Sequence, residues 1–180
     1  MESHTRFFVI SGGPGSGKST LIAALAEMGI PHMPEAGRAI IQQEVATGGS
    51  ALPWKDTGAF AEKMLAHDVA NWRRAKRNGG PVIFDRGIPD VIGYLKVIGH
   101  AVPPHIAQAA ERYRYNPRVF LAPPWKEIFV QDTERKQTFS EAEATFHAMQ
   151  GVYSGLGYEP VLLPLESVAQ RAAFVRAAIL

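Results

Sequence analysis

The residues Gly12-Gly13-Pro14-Gly15-Ser16-Gly17-Lys18-Ser19 satisfy the pattern G-x-x-x-x-G-K-S. Binding a phosphate chain takes many hydrogen-bond donors at close range. Glycines let backbone N–H groups approach it without side-chain clash. A helix opening at this point adds unpaired N–H groups and the positive end of its dipole. Residues Gly13, Pro14, Gly15, Ser16, Gly17, Lys18, Ser19 and Thr20 therefore form the expected phosphate cradle. Within it, Lys18 supplies a point charge for the β and γ phosphates, and the Ser19 hydroxyl is placed to coordinate Mg²⁺. The plainer reading is a glycine-rich turn with a surface lysine. Context argues against it, because the apolar run Arg6 to Ser11 precedes the motif and a helical repeat through Leu21, Ile22 and Leu25 follows it.

A second chemical landmark is Pro81-Val82-Ile83-Phe84-Asp85-Arg86-Gly87, an apolar strand ending in a carboxylate and a guanidinium. Asp85 at such a strand end suits Mg²⁺ coordination through water, or general-base work on an acceptor hydroxyl. A capping or ion-paired aspartate is the ordinary alternative. Arg86 either clamps a transferring phosphoryl group or pairs with a neighbouring carboxylate. Phosphoryl transfer is catalysed mainly by positioning and positive charge, and a cation on a closing segment delivers that charge late. Arg135, with Lys136, lies in a polar stretch between a strand and a helix and suits such a lid around residues 125–139. The other reading is a solvated loop. Glu35 and Arg38 follow the second strand and are candidates to bind an acceptor.

The elements that must position these groups alternate strand and helix. Strands are expected at Arg6 to Ser11, Pro31 to Pro34, Pro81 to Asp85, Arg118 to Ala122 and Val161 to Leu165. Helices are expected between them, including an apolar one over Ala39 to Val45, one capped by Asp56 or Thr57 and a last one capped by Ser167 with Gln170. Thr47 to Pro53 reads as a flexible flap. Ser140 with Glu143 offers a capping box ahead of the stripe Ala142, Phe146, Met149 and Tyr153. Alternating strands and helices predict an α/β fold, a parallel sheet with helices on both faces. Ligands on such sheets sit beyond the carboxyl ends of the strands, where all the candidate groups fall.

At 180 residues the chain is read as a single domain spanning 1–180, with 46% hydrophobic and 20% charged residues. Nineteen Lys plus Arg against 17 Asp plus Glu leave a formal charge of +2, which gives no sign of a nucleic-acid or membrane-surface partner. The absence of cysteine excludes disulfides and thiolate metal sites and fits a cytoplasmic location. Histidines 32, 67, 100, 105 and 147 form no zinc spacing, and His4 reads as part of a polar tail. Arg73, Arg74, Lys76 and Arg77 read as a solvated helix end. The alternation Arg112-Tyr113-Arg114-Tyr115 is too short to argue for base stacking.

The stretches FVISGGPGSGKSTLI, PEAGRAII, FDRGIPD, PPW at Pro123 to Trp125, QDTERKQTF and LPLESVAQRAAFV resemble a family of small bacterial phosphate-loop proteins classed as AAA-domain ATPases, related in pattern to nucleoside and nicotinamide riboside kinases. That resemblance implies ATP with Mg²⁺ as cofactors and a kinase-like phosphate-loop NTPase sandwich of three layers, its five strands in the order 2-3-1-4-5. The Asp85-Arg86 pair is similar to the strand-three motif of nucleoside and nucleotide kinases. This similarity implies that Asp85 meets magnesium or the acceptor, Arg86 a phosphate, and Arg135 the lid. The adenine site is expected near Leu165 to Val168. Two functions follow as expectations: an ATP-dependent phosphotransferase acting on a small metabolite or nucleoside-like acceptor, and an ATPase switch acting through a protein partner.

Overall fold

The computed structural model describes residues 2–130 and 137–180. Its central sheet is parallel and five-stranded: β1 (Phe7–Gly12), β2 (His32–Met33), β3 (Val82–Asp85), β4 (Arg118–Ala122) and β5 (Glu159–Leu162). Read across the sheet, the strands run β2-β3-β1-β4-β5, which is the order 2-3-1-4-5. Seven α-helices connect them among the described residues: α1 (Lys18–Glu27), α2 (Ala36–Thr47), α3 (Thr57–Ala75), α4 (Ile88–Val97), α5 (Pro104–Arg112), α6 (Phe139–Gly155) and α7 (Val168–Ile179).

Strand β1 is buried along its whole length, as a central parallel strand must be, so its sequence is a continuous apolar run. Its side chains still alternate between two cores. Phe7 and Val9 join Trp72, Ile88, Leu95 and Tyr153 on the face covered by α3 to α6. Phe8 and Ile10 join Leu21, Leu25 and Val175 on the face covered by α1 and α7. The result is the helix-sheet-helix sandwich that the alternating pattern predicts. In register, Ile10 lies opposite Asp85 on one side and Phe120 on the other, and Gly12 opposite Ala122. That register sets Asp85 level with the last turn of chain before the glycine loop.

Several local expectations are revised. The N-terminal residues are not a loose tail: Glu2–Ser3 pair in parallel with Tyr113–Arg114, and the His4 ring stacks on Phe7 at 4.6 Å. The basic end of α3 is held by tertiary contacts, with Arg73 donating to the Tyr113 hydroxyl and Lys76 pairing with Glu2. Tyr113 and Tyr115 are core residues, which removes them as a stacking platform. The stretch after α2 is anchored rather than free. Ala51 and Leu52 are buried, and Glu44 accepts the Ala51 N–H at 2.9 Å. Helix α2 begins at Ala36, three residues before the expected start, so Glu35 is its N-cap residue and Arg38 lies in its first turn. Helix α6 is capped by Thr138 and Glu141 instead of Ser140 and Glu143. Both pairs fit the capping box, and the earlier one wins because Thr138 and Glu141 exchange backbone N–H bonds reciprocally. Asp56 caps α3 and Ser167 caps α7, as expected. Strand β5 starts two residues early and carries Pro160, tolerated because it is a sheet edge.

Candidate functional site

The loop from Gly12 to Gly17 bends where backbone meets backbone. Gly12 has φ +133°, and a Cβ there would lie 2.5 Å from the Ala122 carbonyl oxygen; at Gly13 one would strike the Ala142 carbonyl. Gly17 caps α1 at φ +77°, and a side chain on it would meet the Arg171 guanidinium at 2.6 Å. The loop is thus held from below by β4, α6 and α7, leaving its upper surface to line a cavity of about 190 Å³.

That cavity gathers most of the expected groups. It is lined by residues 14–20 and by Glu35, Arg38, Asp85 and Arg86. Gly13 contributes its carbonyl, which accepts from Lys18 Nζ at 2.5 Å; the same Nζ donates to Ser16 Oγ at 3.3 Å. Ser19 and Thr20 are exposed to the cavity, and Thr20 Oγ1 also donates back to the Gly17 carbonyl. Phe129, Val130 and Gln137, from the flanks of the expected lid, line the cavity too, and Phe129 closes over Gly15. Arg135 and Lys136 lie outside the described residues.

Asp85 stands at the cavity wall with its Oδ1 buried and, among the described residues, without a hydrogen-bond partner. Burial raises its pKa, the Glu35 carboxylate raises it further, and Lys18 and Arg86 oppose the rise. A buried acceptor left open beside a phosphate loop is where the hydration shell of a hard cation fits, so the Ser19 hydroxyl and Asp85 suit Mg²⁺.

Arg86 realises the ion-paired alternative. Its Nε donates to Glu35 at 3.2 Å, and its Nη1 to the Gly12 carbonyl at 2.8 Å and to Asp90 at 3.2 Å. Burial works against its charge, but Glu35, Asp90 and Asp85 more than offset this and keep the guanidinium protonated. Its backbone sits at φ 68°, a left-handed conformation costing an arginine of order 1–3 kcal/mol. The turn aims the side chain back at the loop. Nη2 makes no hydrogen bond with the described residues, and the residue lines the cavity.

Three groups of this region went unrecognised in the sequence. Asp90 on α4 accepts from Ser11 Oγ at 2.5 Å, from Tyr153 Oη at 2.6 Å, from Gly87 N at 2.9 Å and from Arg86. Its spacing of four from Arg86 on a helix start was the available signal. Arg171 on α7 is fully buried; its Nη1 donates to the Ser16 carbonyl at 3.1 Å, while Nε and Nη2 have no hydrogen-bond partner among the described residues. Burial lowers its pKa, and its guanidinium lies 5.8 Å from the Trp125 ring centre. The third is Asp68 on α3, which belongs to a second cavity.

That second cavity, of about 320 Å³, opens from the first; Pro14, Glu35, Arg86 and Gln137 line both. Its walls are otherwise largely apolar, including Trp54, Phe60, Met64, Tyr94 and Met149 from α3, α4, α6 and the stretch before α3. Asp68 and Asp90 are its buried carboxylates. A polar phosphate-sized chamber joined to a larger aromatic one divides the site into two compartments. Among the described residues no helix is long and apolar enough to cross a membrane, and no group of three or more acidic or histidine side chains is arranged to hold a metal.

No curated protein matches the chain in sequence. Solved structures match in fold. Deoxyadenosine kinase from M. mycoides with bound dATP aligns with a TM-score of 0.64 at 14% identity, covering 96% of this chain and 98% of that one. NadR protein in complex with NR aligns with a TM-score of 0.70 at 20% identity, covering 97% of this chain and 50% of that one, so the chain spans half of NadR. Thymidylate kinase from Ehrlichia chaffeensis aligns with a TM-score of 0.61 at 18% identity, covering 97% of each. The fold is therefore that of the phosphate-loop nucleoside and nucleotide kinases. A family model described as AAA domain matches residues 7–171, and the chain belongs to that family.

Proposed function

We propose that this protein is an ATP- and Mg²⁺-dependent phosphotransferase acting on a small, nucleoside-like acceptor. The observation that carries the reading is the pair of joined cavities, with Glu35 and Arg86 lining both and Asp85 on the wall of the first. One has the polar backbone-lined form that phosphates require; the other has the volume and apolar walls of a small-molecule site. The solved neighbours support it by name: two are kinases, and a third holds NR.

In the proposed reaction residues 13–20 hold the triphosphate, with Lys18 beside the β and γ phosphates. Mg²⁺, when bound by the Ser19 hydroxyl and through water by Asp85, supplies positive charge to the phosphate oxygens. An acceptor hydroxyl from the second cavity forms a new P–O bond to the γ phosphorus as the bond to the β-bridging oxygen breaks and its electron pair leaves with ADP. The hydroxyl proton passes to Asp85, whose raised pKa suits a base. Arg86 directs its unused Nη2 at the transferring group, and Glu35 and Arg38 border the acceptor. Residues 125–139 form the lid, with Arg135 delivering charge on closure. The adenine ring lies toward Leu165 to Val168 and the Trp125–Arg171 pair. The whole chain of 1–180 acts as one catalytic domain in the cytoplasm.

The test is ADP release with and without small-molecule pools, together with thermal stabilisation by Mg·ATP. Acceptor-dependent turnover with a phosphorylated product is expected. A ligand at 100 times its dissociation constant stabilises by about 2.7 kcal/mol, and Lys18→Ala should abolish that gain. Hydrolysis that depends on a protein partner and yields no phosphorylated small molecule would refute the reading in favour of an ATPase switch.

A further inference from the structure

The second cavity carries more information than its size. Among its described lining residues three are carboxylates, Glu35, Asp68 and Asp90, and one is a guanidinium, Arg86. The guanidinium is already committed to Glu35 and Asp90. Asp90 is saturated by Ser11, Gly87, Tyr153 and Arg86. Asp68 is different. It is buried, and the basic group paired with it is His67, whose Nδ1 is 3.9 Å away, too far for a hydrogen bond. That nitrogen is also occupied. Asn71 Nδ2 lies 3.1 Å from it, and the Asn71 amide is oriented by the Pro34 carbonyl, which it donates to, and by Arg74, from which it accepts. His67 Nδ1 therefore accepts from Asn71 and has no proton for Asp68. Tyr94 lines the same cavity with a buried hydroxyl that has no partner among the described residues. Its ring meets Phe60 edge-on at 5.4 Å, and Trp54 stands exposed at the same cavity.

Resting on the phosphotransferase reading, we infer that the acceptor is an aromatic-ringed alcohol that carries no phosphate, and that Asp68 selects it by receiving a hydrogen-bond donor or positive charge on the ring. An aromatic ring seats against Trp54, Phe60 and Tyr94. A donor edge or cationic ring satisfies the carboxylate of Asp68, and a ring carbonyl or nitrogen satisfies the Tyr94 hydroxyl. A phosphate monoester would instead bring negative charge to a chamber where, among the described lining residues, carboxylates outnumber cations and the one guanidinium is paired with Glu35 and Asp90. Asp68 is thus a specificity-determining residue.

The experiment measures binding and transfer separately on the full chain saturated with a non-hydrolysable Mg·ATP analogue and with Mg·ATP. The probes are adenosine, cytidine, thymidine and nicotinamide riboside, each beside its 5′-monophosphate. At least one unphosphorylated probe should bind, quenching Trp54 fluorescence, and its monophosphate should bind at least about tenfold more weakly. Asp68→Asn should weaken that probe about tenfold or more, and Tyr94→Phe by a smaller factor, while affinity for the ATP analogue stays unchanged in both. Unchanged probe affinity in Asp68→Asn, equal or tighter binding of the monophosphate, or no binding of any unphosphorylated probe at millimolar concentration would each overturn the inference. Transfer to a monophosphate overturns it while leaving the phosphotransferase reading standing. Charge-selective binding without γ-phosphate transfer does the reverse: it supports the ligand class and fails the phosphotransferase reading.

Discussion

Replacing Asp68 by Asn should stabilise the unliganded protein at neutral pH and leave it unchanged in acid. Burial pushes the Asp68 carboxyl up to about 6 from an ordinary value of 3.8, and the Asp90 and Glu35 carboxylates add to it. The buried Tyr115 hydroxyl is the other titratable group that feels its charge. An acid whose pKa is raised by folding binds its proton more tightly in the folded state. Its contribution to stability is fully present below about pH 4, is lost as pH rises through about 6, and stays lost above that. A difference of roughly two pKa units at about 1.4 kcal/mol each makes the full loss about 3 kcal/mol, an upper figure because one side of the group faces a cavity. An amide at this position carries no charge at any pH and removes the titration. Urea unfolding of both proteins at pH 4.5, 6 and 8 reads the difference directly. The groups common to both, including Asp85, cancel. The expected gain for Asp68→Asn at pH 8 is about 1–3 kcal/mol, or several degrees in Tm for a chain of this size. Parallel stability curves from acid to alkaline pH, or a variant less stable at pH 8, would refute the claim that burial of this carboxylate is the cost.

Two further outcomes follow from the loop. Arg86→Gln leaves Glu35 and Asp90 without their shared cation, so stability should fall by about 3–5 kcal/mol in chemical unfolding. In conditions where it remains folded, its kcat should drop by about 100-fold or more with a smaller change in ATP affinity; an equal loss of both would assign Arg86 to holding the loop alone. Gly12→Ala places a Cβ against the Ala122 carbonyl at a φ that alanine avoids, so the β1–β4 pairing must part locally. Its Tm should fall by ten degrees or so, on the order of 3 kcal/mol, and ATP should no longer stabilise it; a fully stable, ATP-responsive variant would contradict the close approach.

Much of this was readable because the informative residues act locally. The glycine loop declares itself by spacing alone, since its function is performed by backbone, and an apolar strand must lead into it. That helices cover both faces of the sheet was readable from the alternation of strand and helix patterns along the chain. Asp90 and Asp68 were hidden for a common reason: a carboxylate on a helix looks solvated unless its face is worked out. Asp68 stands three residues after Leu65 and four before Trp72, within the apolar stripe of α3, and that spacing was the missed sign of a buried charge. Arg171 was hidden differently. Its partner, the Ser16 carbonyl, is 155 positions away, and no local pattern encodes such a contact. The N-terminal residues were misjudged because a two-residue strand has no periodicity to recognise.

The contacts under the glycine loop also set an order of events during synthesis. The loop precedes Ala122, Ala142 and Arg171 in the chain, yet it is shaped by all three. At translation speeds of about 5–20 residues per second, those supports emerge roughly 5–30 s after the loop itself. A nascent chain therefore holds the phosphate motif long before it holds a phosphate site, and it becomes able to grip a nucleotide only as α7 docks. Nucleotide capture then serves as a report that the segment from the loop to α7 has folded.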